Sequence, residues 1–230
     1  MLYPLAHTLG IQRCRRLAWE APIAYTGVAT GYLVQSALYC EYSVLHEARA
    51  SKRVSPSVAR RLAREALQAI RGARSGWATL TIAGEVLSVP VIVSPDALLV
   101  KDGRPVAVVR ARVRRSLNHY PGDWAPLYLA AAALDGLFEG KLDSSLTLAL
   151  ILAEDHARLA EALAKVRSLG PKPSRGDGWT VVTRVYTFED ARRLLSRPLD
   201  IIVGRSRPRP PPPSRCAKCR WRESCPWSRA

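Results

Sequence analysis

The stretch VSPDALLVKDGRPVAVVRARV, residues 93–113, decides how the chain is read. Two apolar runs, 97–100 and 105–113, flank Lys101-Asp102-Gly103-Arg104. An Asp-Gly pair between such runs is a strong β-hairpin signal. On an extended strand alternate residues share a face, so Val108, Arg110 and Arg112 point one way. Val109, Ala111 and Val113 point the other way.

Upstream, Ser55-Pro56 followed by VARRLAREALQAI predicts an N-capped amphipathic helix, with Val58, Leu62, Leu67 and Ile70 near one stripe and Gly72 as the stop. Between helix and hairpin, 77–82 alternates and 86–93 is Val-rich, so both read as strand. Downstream, Asp123 is expected to cap a helix through YLAAAALDGLF, and the apolar run 146–153, LTLALILA, to form a buried central strand. A helix over 154–169 closed by Gly170-Pro171, a strand over 179–186 and a helix over 188–196 follow. The order α-β-β-β-α-β implies an α/β fold, a mixed sheet flanked by helices. Three regions are expected: an N-terminal helical region 1–54, a core 55–203, and a tail 204–230 that opens with the stiff, basic RSRPRPPPPSR.

The 230 residues are 48% hydrophobic, with a mean hydropathy of −0.06. That excludes a disordered chain, a collagen and a disulfide-stapled miniprotein. Lys and Arg total 35 against 19 acids, a formal charge of +16, which favours a polyanionic partner, nucleic acid before membrane surface. Residues 21–40 carry no charge, but a Pro, two Gly, two Thr, a Ser and a Gln interrupt them, so no membrane span is expected there. With no signal peptide pattern either, a cytoplasmic location is expected. Three Gln, one Asn and one Met beside abundant Arg suggest a heat-loving host or a GC-rich genome.

Cysteine distribution carries the most chemical information. Cys216, Cys219 and Cys225 form C-x2-C-x5-C in the basic tail, Cys40 lies far upstream in LYCEYSVLHEA, and Cys14 is left over. In a cytoplasmic protein clustered thiols indicate a metal site more often than disulfides, and thiolates select an iron–sulfur cluster or zinc. Three ligands are one short of either site, and Cys40 is the natural fourth, clamping the tail to the N-terminal helical region. Zinc with a His or a fourth Cys, and plain buried thiols, are the alternatives.

The tyrosine-cysteine pair with a basic helix after it, the strand pattern and the ending PSRCAKCRWRESC together resemble the CRISPR-associated four-cysteine exonucleases over residues 33–230. These are iron–sulfur proteins of the PD-(D/E)XK superfamily with a RecB-like, restriction-endonuclease-type core. The resemblance implies a [4Fe-4S] cluster on Cys40, Cys216, Cys219 and Cys225. It also implies a nuclease centre in which a strand-borne Asp and Glu bind Mg²⁺ or Mn²⁺, a helical His assists and a Lys positions the attacking water. Asp96 falls on the family's Asp, but its Glu reads Arg110 and its Lys reads Arg112. The helical His-Glu pair reads Arg64-Glu65, and the later Gln-x3-Tyr motif keeps Tyr128 with Trp124 in place of Gln. Only Asp96 and Tyr128 remain as catalytic remnants.

An Arg about 4 Å from a divalent cation costs on the order of 8 kcal/mol at an effective dielectric of 20. The cleft is therefore not expected to hold catalytic Mg²⁺ or Mn²⁺. Arg64, Arg110 and Arg112 are expected instead to grip phosphate. The alternatives are that they pair with acids such as Glu65 or Asp96, or that the site lies elsewhere. Six Arg or Lys against one Asp over 101–115, Arg114 and Arg115 among them, and eight against one Glu over 204–230, interleaved with Trp221 and Trp227, suit single strands or duplex ends. His119 and Asp123 flank a Tyr-Pro-Gly turn as a candidate metal or acid–base pair, otherwise as surface; His46 and His156 have no evident partner. No P-loop, dinucleotide fingerprint or serine elbow occurs.

The expected protein is thus a DNA-binding iron–sulfur member of the CRISPR adaptation exonucleases, catalytically degenerate and holding DNA ends, with the integrase complex or an active paralogue as partner and no membrane. An active metal-dependent single-stranded DNA exonuclease and a zinc-stabilised adaptor are the alternatives.

Overall fold

The computed structural model describes residues 28–44, 47, 55–209, 216, 219, 222–223 and 225. A short strand β1 (Ala29–Thr30) runs into helix α1 (Gly31–Tyr39), where the Thr30 hydroxyl accepts a hydrogen bond from the Leu33 amide at 3.3 Å. Helix α2 (Pro56–Gly72) starts as its sequence requires, with Ser55 accepting from the Val58 amide at 3.4 Å and proline in the first turn. Strands β2 (Ser75–Ala78), β3 (Ile82–Val86), β4 (Val89–Val93), β5 (Ala97–Lys101) and β6 (Arg104–Val113) follow. Helix α3 (Pro121–Leu137), strand β7 (Thr147–Ala153), helix α4 (His156–Leu169), strands β8 (Ser174–Gly176) and β9 (Trp179–Val185), and helix α5 (Phe188–Ile202) complete the order.

Two sheets form. The larger runs β2-β5-β6-β7-β9-β8, with β6 and β7 parallel and every other pair antiparallel. The parallel pair needs a crossover, and α3 supplies it. The smaller sheet runs β1-β4-β3. Helix α3 is buried on nearly every side because both sheets pack against it: Ile82, Val86, Val91 and Val93 from the small one, Leu98, Val108, Leu148 and Leu150 from the large one. Its alanines let backbones approach closely. A Cβ on Gly84 would lie 3.2 Å from the Ala133 carbonyl oxygen, so a side chain there would press the sheet off α3 by a few tenths of an ångström. On the far face of the large sheet, Ala162 and Val166 of α4 cover Ile151, Val181 and Trp179. Leu33 and Val34 of α1 belong to the same core as α3, so the N-terminal helical segment and the central region share one interior.

The Asp-Gly hairpin forms as expected, with Asp102 at φ 49° and Gly103 at φ 71°. The central strand β7 is buried from Leu148 to Ala153. Elsewhere the architecture differs from expectation. The stretch 77–82 is divided between β2 of one sheet and β3 of the other, and 86–93 contains a hairpin turn rather than one strand. The turn is Leu87-Ser88, at φ 50° and 59°, and it lacks the Gly or Asn that a left-handed pair prefers. It is held from a distance, because the Arg205 guanidinium donates to the carbonyls of Leu87 at 3.2 Å and Ser88 at 3.1 Å. Five strands therefore separate α2 from α3, where four stretches read as strand and the order α-β-β-β-α-β has three. Asp123 is the third residue of α3 rather than its cap; Tyr120 is the cap, and Asp123 accepts from the Tyr120 amide at 2.8 Å. Among the described residues no helix is long and apolar enough to cross a membrane.

Candidate functional site

Strand β6 alternates as read. Val109 joins the α4-side cluster and Val108 the α3-side one, so Arg110 and Arg112 emerge on the α3 side, where α1 also packs. Both guanidiniums converge on one atom: the Gln35 side-chain oxygen of α1 accepts from Arg110 Nη2 at 3.0 Å and from Arg112 Nη2 at 3.2 Å. Arg110 Nε is buried with no hydrogen-bond partner. A buried polar group left unpaired costs roughly 1–3 kcal/mol, so this arginine is not fully satisfied by its surroundings. The two arginines, Gln35, Gly31, Val93 and Ser94 line a cleft of about 390 Å³, with the half-exposed Tyr32 on its rim. Gly31 permits this closeness: a Cβ there would meet Val93 Cγ2 at 3.1 Å and Pro126 Cβ at 3.4 Å.

No carboxylate among the described residues pairs with Arg110 or Arg112. Asp96 is exposed and bound to backbone, its Oδ2 accepting from the Ala111 amide at 2.8 Å, while Glu65 pairs with Arg61 at 3.6 Å. The acid-pairing alternative for these arginines is thus not what the fold builds. Other expected site residues are dispersed. Arg64 is exposed on α2 and does not line the cleft. Tyr128 is buried in the α3 core with its ring centroid 6.5 Å from that of Tyr186.

Arg114 is committed to structure rather than offered to a ligand: its Nη1 reaches Asp123 at 3.0 and 3.1 Å, its Nη2 donates to the Asn118 carbonyl, and its guanidinium lies 5.4 Å from the Tyr120 ring centroid. Arg115 is exposed. Trp124 is buried, donates to His119 at 3.2 Å and carries the Arg184 guanidinium 4.3 Å from its ring centroid. His119 and Asp123 therefore serve different partners and do not form a pair. Cys14, His46, Trp221 and Trp227 lie outside the described residues.

A second centre forms at the opposite end of α1. Cys40 is the C-cap, its amide donating to the Ser36 carbonyl at 2.8 Å, and its own carbonyl accepts from the Ser43 amide at 2.9 Å and hydroxyl at 2.7 Å. Burial pushes the Cys40 thiol above the ordinary range. The neighbouring Ser43 and Tyr42 backbone N–H groups pull it down, and the charges of Cys219 and Cys225 raise it again. The tail cysteines thus lie within electrostatic reach of Cys40. Turns link them to one another, with the Cys219 amide on the Cys216 carbonyl and the Arg222 amide on the Cys219 carbonyl, both at 3.1 Å.

The four described cysteines form no disulfide, and Cys40 and Cys225 are buried. No group of three or more metal-ligating side chains is drawn together among the described residues. Four thiols are nonetheless the donor chemistry that a thiophilic metal takes.

Sequence reasoning missed the clamp that brings the tail here. Glu41, next to Cys40, accepts from Arg197 at 2.6 and 2.7 Å and from the Arg209 amide at 2.5 Å, while Arg197 also donates to the Arg207 carbonyl at 3.2 Å. It missed Gln35 as well. The only available signal was position: Gln35 falls one helical turn before Tyr39-Cys40, and Glu41 directly follows it. Compared with known proteins, the chain matches no protein-family model and no curated protein.

Proposed function

We propose that this chain is a DNA-binding iron–sulfur protein of the four-cysteine exonuclease kind, its nuclease centre converted from metal-dependent cleavage to phosphate holding. The observation that carries the reading is the convergence of Arg110 and Arg112 on one oxygen in a cleft with no carboxylate among its described lining residues. In a RecB-like fold, with which the mixed sheet flanked by helices is compatible, those two positions would carry the metal-binding Glu and the Lys. Guanidiniums there repel a divalent cation and attract the anion it would bridge. The net charge of +16 adds long-range attraction for DNA.

Cys40, Cys216, Cys219 and Cys225 are the residues that would hold the [4Fe-4S] cluster, which when bound supplies a rigid cross-link and an electron-accepting centre. The chain's own part is to carry the tail to α1 through Glu41 and Arg197, and to fix the Cys40 backbone through Ser36 and Ser43. The biological role that follows is to hold DNA ends during spacer acquisition, beside an integrase complex or a cleaving paralogue.

The test is the full chain purified without oxygen. Iron and zinc are quantified, single-stranded DNA binding is followed by fluorescence anisotropy, and digestion is assayed with Mn²⁺. The expected result is an iron-containing protein that binds DNA and leaves it intact. Mn²⁺-dependent digestion abolished by Asp96→Ala would overturn the reading in favour of an active exonuclease, and a colourless zinc protein indifferent to DNA would overturn it in favour of an adaptor.

A further inference from the structure

Resting on that reading of the cleft, we infer that it takes the terminal phosphomonoester of a nucleic-acid strand rather than the phosphodiester of a strand interior. The argument is one of charge at a point. Two guanidiniums are aimed at a single oxygen, which in the free protein is the amide oxygen of Gln35, a neutral acceptor. Arg110 Nε remains as a further buried donor without a partner. The first turn of α1 comes to the same cleft and holds no acidic residue, so its end of the helix dipole adds roughly half a positive charge. About two and a half positive charges thus face a cleft with no carboxylate among its described lining residues, Asp96 being held outside the lining on the Ala111 amide.

A phosphomonoester carries close to two negative charges at neutral pH, with its second ionisation near pH 6, whereas a diester carries one. The dianion balances the cleft and the diester leaves it in surplus. Size agrees: about 390 Å³ is the room of one small ligand, not of a track along which a strand runs. In binding, the phosphate oxygens take over the donors of Arg110 and Arg112 and the Gln35 amide turns aside.

The titratable groups on the lining are Arg110, Arg112 and Tyr32; no histidine or carboxylate is among the described ones. The end preference should therefore follow the second ionisation of the phosphomonoester, at about pH 6.

The experiment measures anisotropy of the full chain with one oligothymidylate carrying a 5′-phosphate, a 3′-phosphate or hydroxyls at both ends, at pH 7.5 and pH 5.5, with thymidine 5′-monophosphate as competitor. At least tenfold tighter binding of a phosphorylated strand at pH 7.5, shrinking severalfold at pH 5.5, is the expected result. Gln35→Glu fills the cleft with a carboxylate while keeping both arginine contacts, so it should erase the preference in a folded protein. Equal binding of phosphorylated and hydroxyl-ended strands, or a preference untouched by Gln35→Glu, overturns the inference while leaving DNA binding intact. Binding of none of the three strands overturns the underlying function as well. Competition by the mononucleotide at the potency of the phosphorylated strand would assign the cleft to free nucleotides and overturn the strand end as ligand.

Discussion

At its first turn α1 brings the positive end of its backbone against two guanidiniums, and at its last turn it offers carbonyls to the donors that fix Cys40. The first end gathers like charge around one neutral amide and leaves a buried N–H unpaired. At the second end the backbone is satisfied by Ser43 and Cys40, and the neighbouring Glu41 is matched by Arg197. One short helix thus joins the cleft proposed to take an anion to the cysteines proposed to hold the cluster, and the second end has its backbone hydrogen bonds in place. Perturbing either end separates the two roles.

The largest effect belongs to the cysteine end. Under the proposed function Cys40→Ala removes one of the four cluster thiols, and structural metal sites contribute on the order of several kcal/mol or more. Metal content should fall to near zero, and thermal unfolding should drop by roughly 10 °C. Elemental analysis and calorimetry read both. Unchanged metal content in Cys40→Ala would detach α1 from the metal centre altogether.

The pH response comes next, and its sign differs between the apoprotein and the loaded protein. The Cys40 thiol is raised mainly by burial, so the folded apoprotein favours the neutral form more than the unfolded chain does. That contribution to stability is fully present below the unfolded-state thiol range and is lost as pH rises through the raised folded value. Metal binding needs thiolates and expels their protons, so affinity climbs with pH, about tenfold per unit for each proton released. Apoprotein melting temperature and metal affinity should therefore move in opposite directions as pH rises through the thiol range. Parallel movement would mean that Cys40 ionises without opposition from its surroundings.

What could be read from the chain, and what could not, divides along the same helix. The hairpin at Asp102-Gly103, the Ser55 cap and strand β7 rest on neighbours within a few residues, so local pattern suffices. The cysteine spacing was legible because chemistry restricts what three clustered thiols do. Gln35 with Arg110 and Arg112, and Glu41 with Arg197, join residues 75, 77 and 156 positions apart, and no periodicity reports such a meeting. The Leu87-Ser88 turn escaped notice for the same reason, since the arginine that holds it lies 118 positions from Leu87. Arg114 misled in the opposite sense. It was read as a free cation in a basic run, but Asp123 nine residues on takes it up. Composition counts charges without saying which are already neutralised.

Glu41→Gln tests whether the tail clamp is separable from the thiols. The Glu41–Arg197 pair is partly buried, with side-chain exposures of 19% and 34%, so solvent screening limits its worth to about 1 kcal/mol despite two short contacts. The expected result is a melting temperature lower by about 3 °C and faster tryptic cleavage in the segment around Arg207 and Arg209, with metal content unchanged. Loss of metal in this variant would make the clamp part of the metal centre rather than its approach.

The smallest effect distinguishes the ends most directly, because it should stabilise. Gln35→Glu replaces the neutral oxygen between Arg110 and Arg112 with a charged one of nearly the same shape. Both contacts are already charge-assisted through the guanidiniums, so the gain is that of an ion pair over an ion–dipole contact, limited by the cleft's partial exposure. A net gain of about 1 kcal/mol, or roughly 3 °C, is expected at low salt, fading as salt rises. Gln35→Ala removes the acceptor and should lose a similar amount. No comparable gain is available at Glu41 of the cysteine end, which already has the Arg197 guanidinium. Should Gln35→Glu melt at or below the parent temperature while Gln35→Ala is neutral, the two arginines are not in charge surplus, and the anion-seeking end of α1 loses its physical basis.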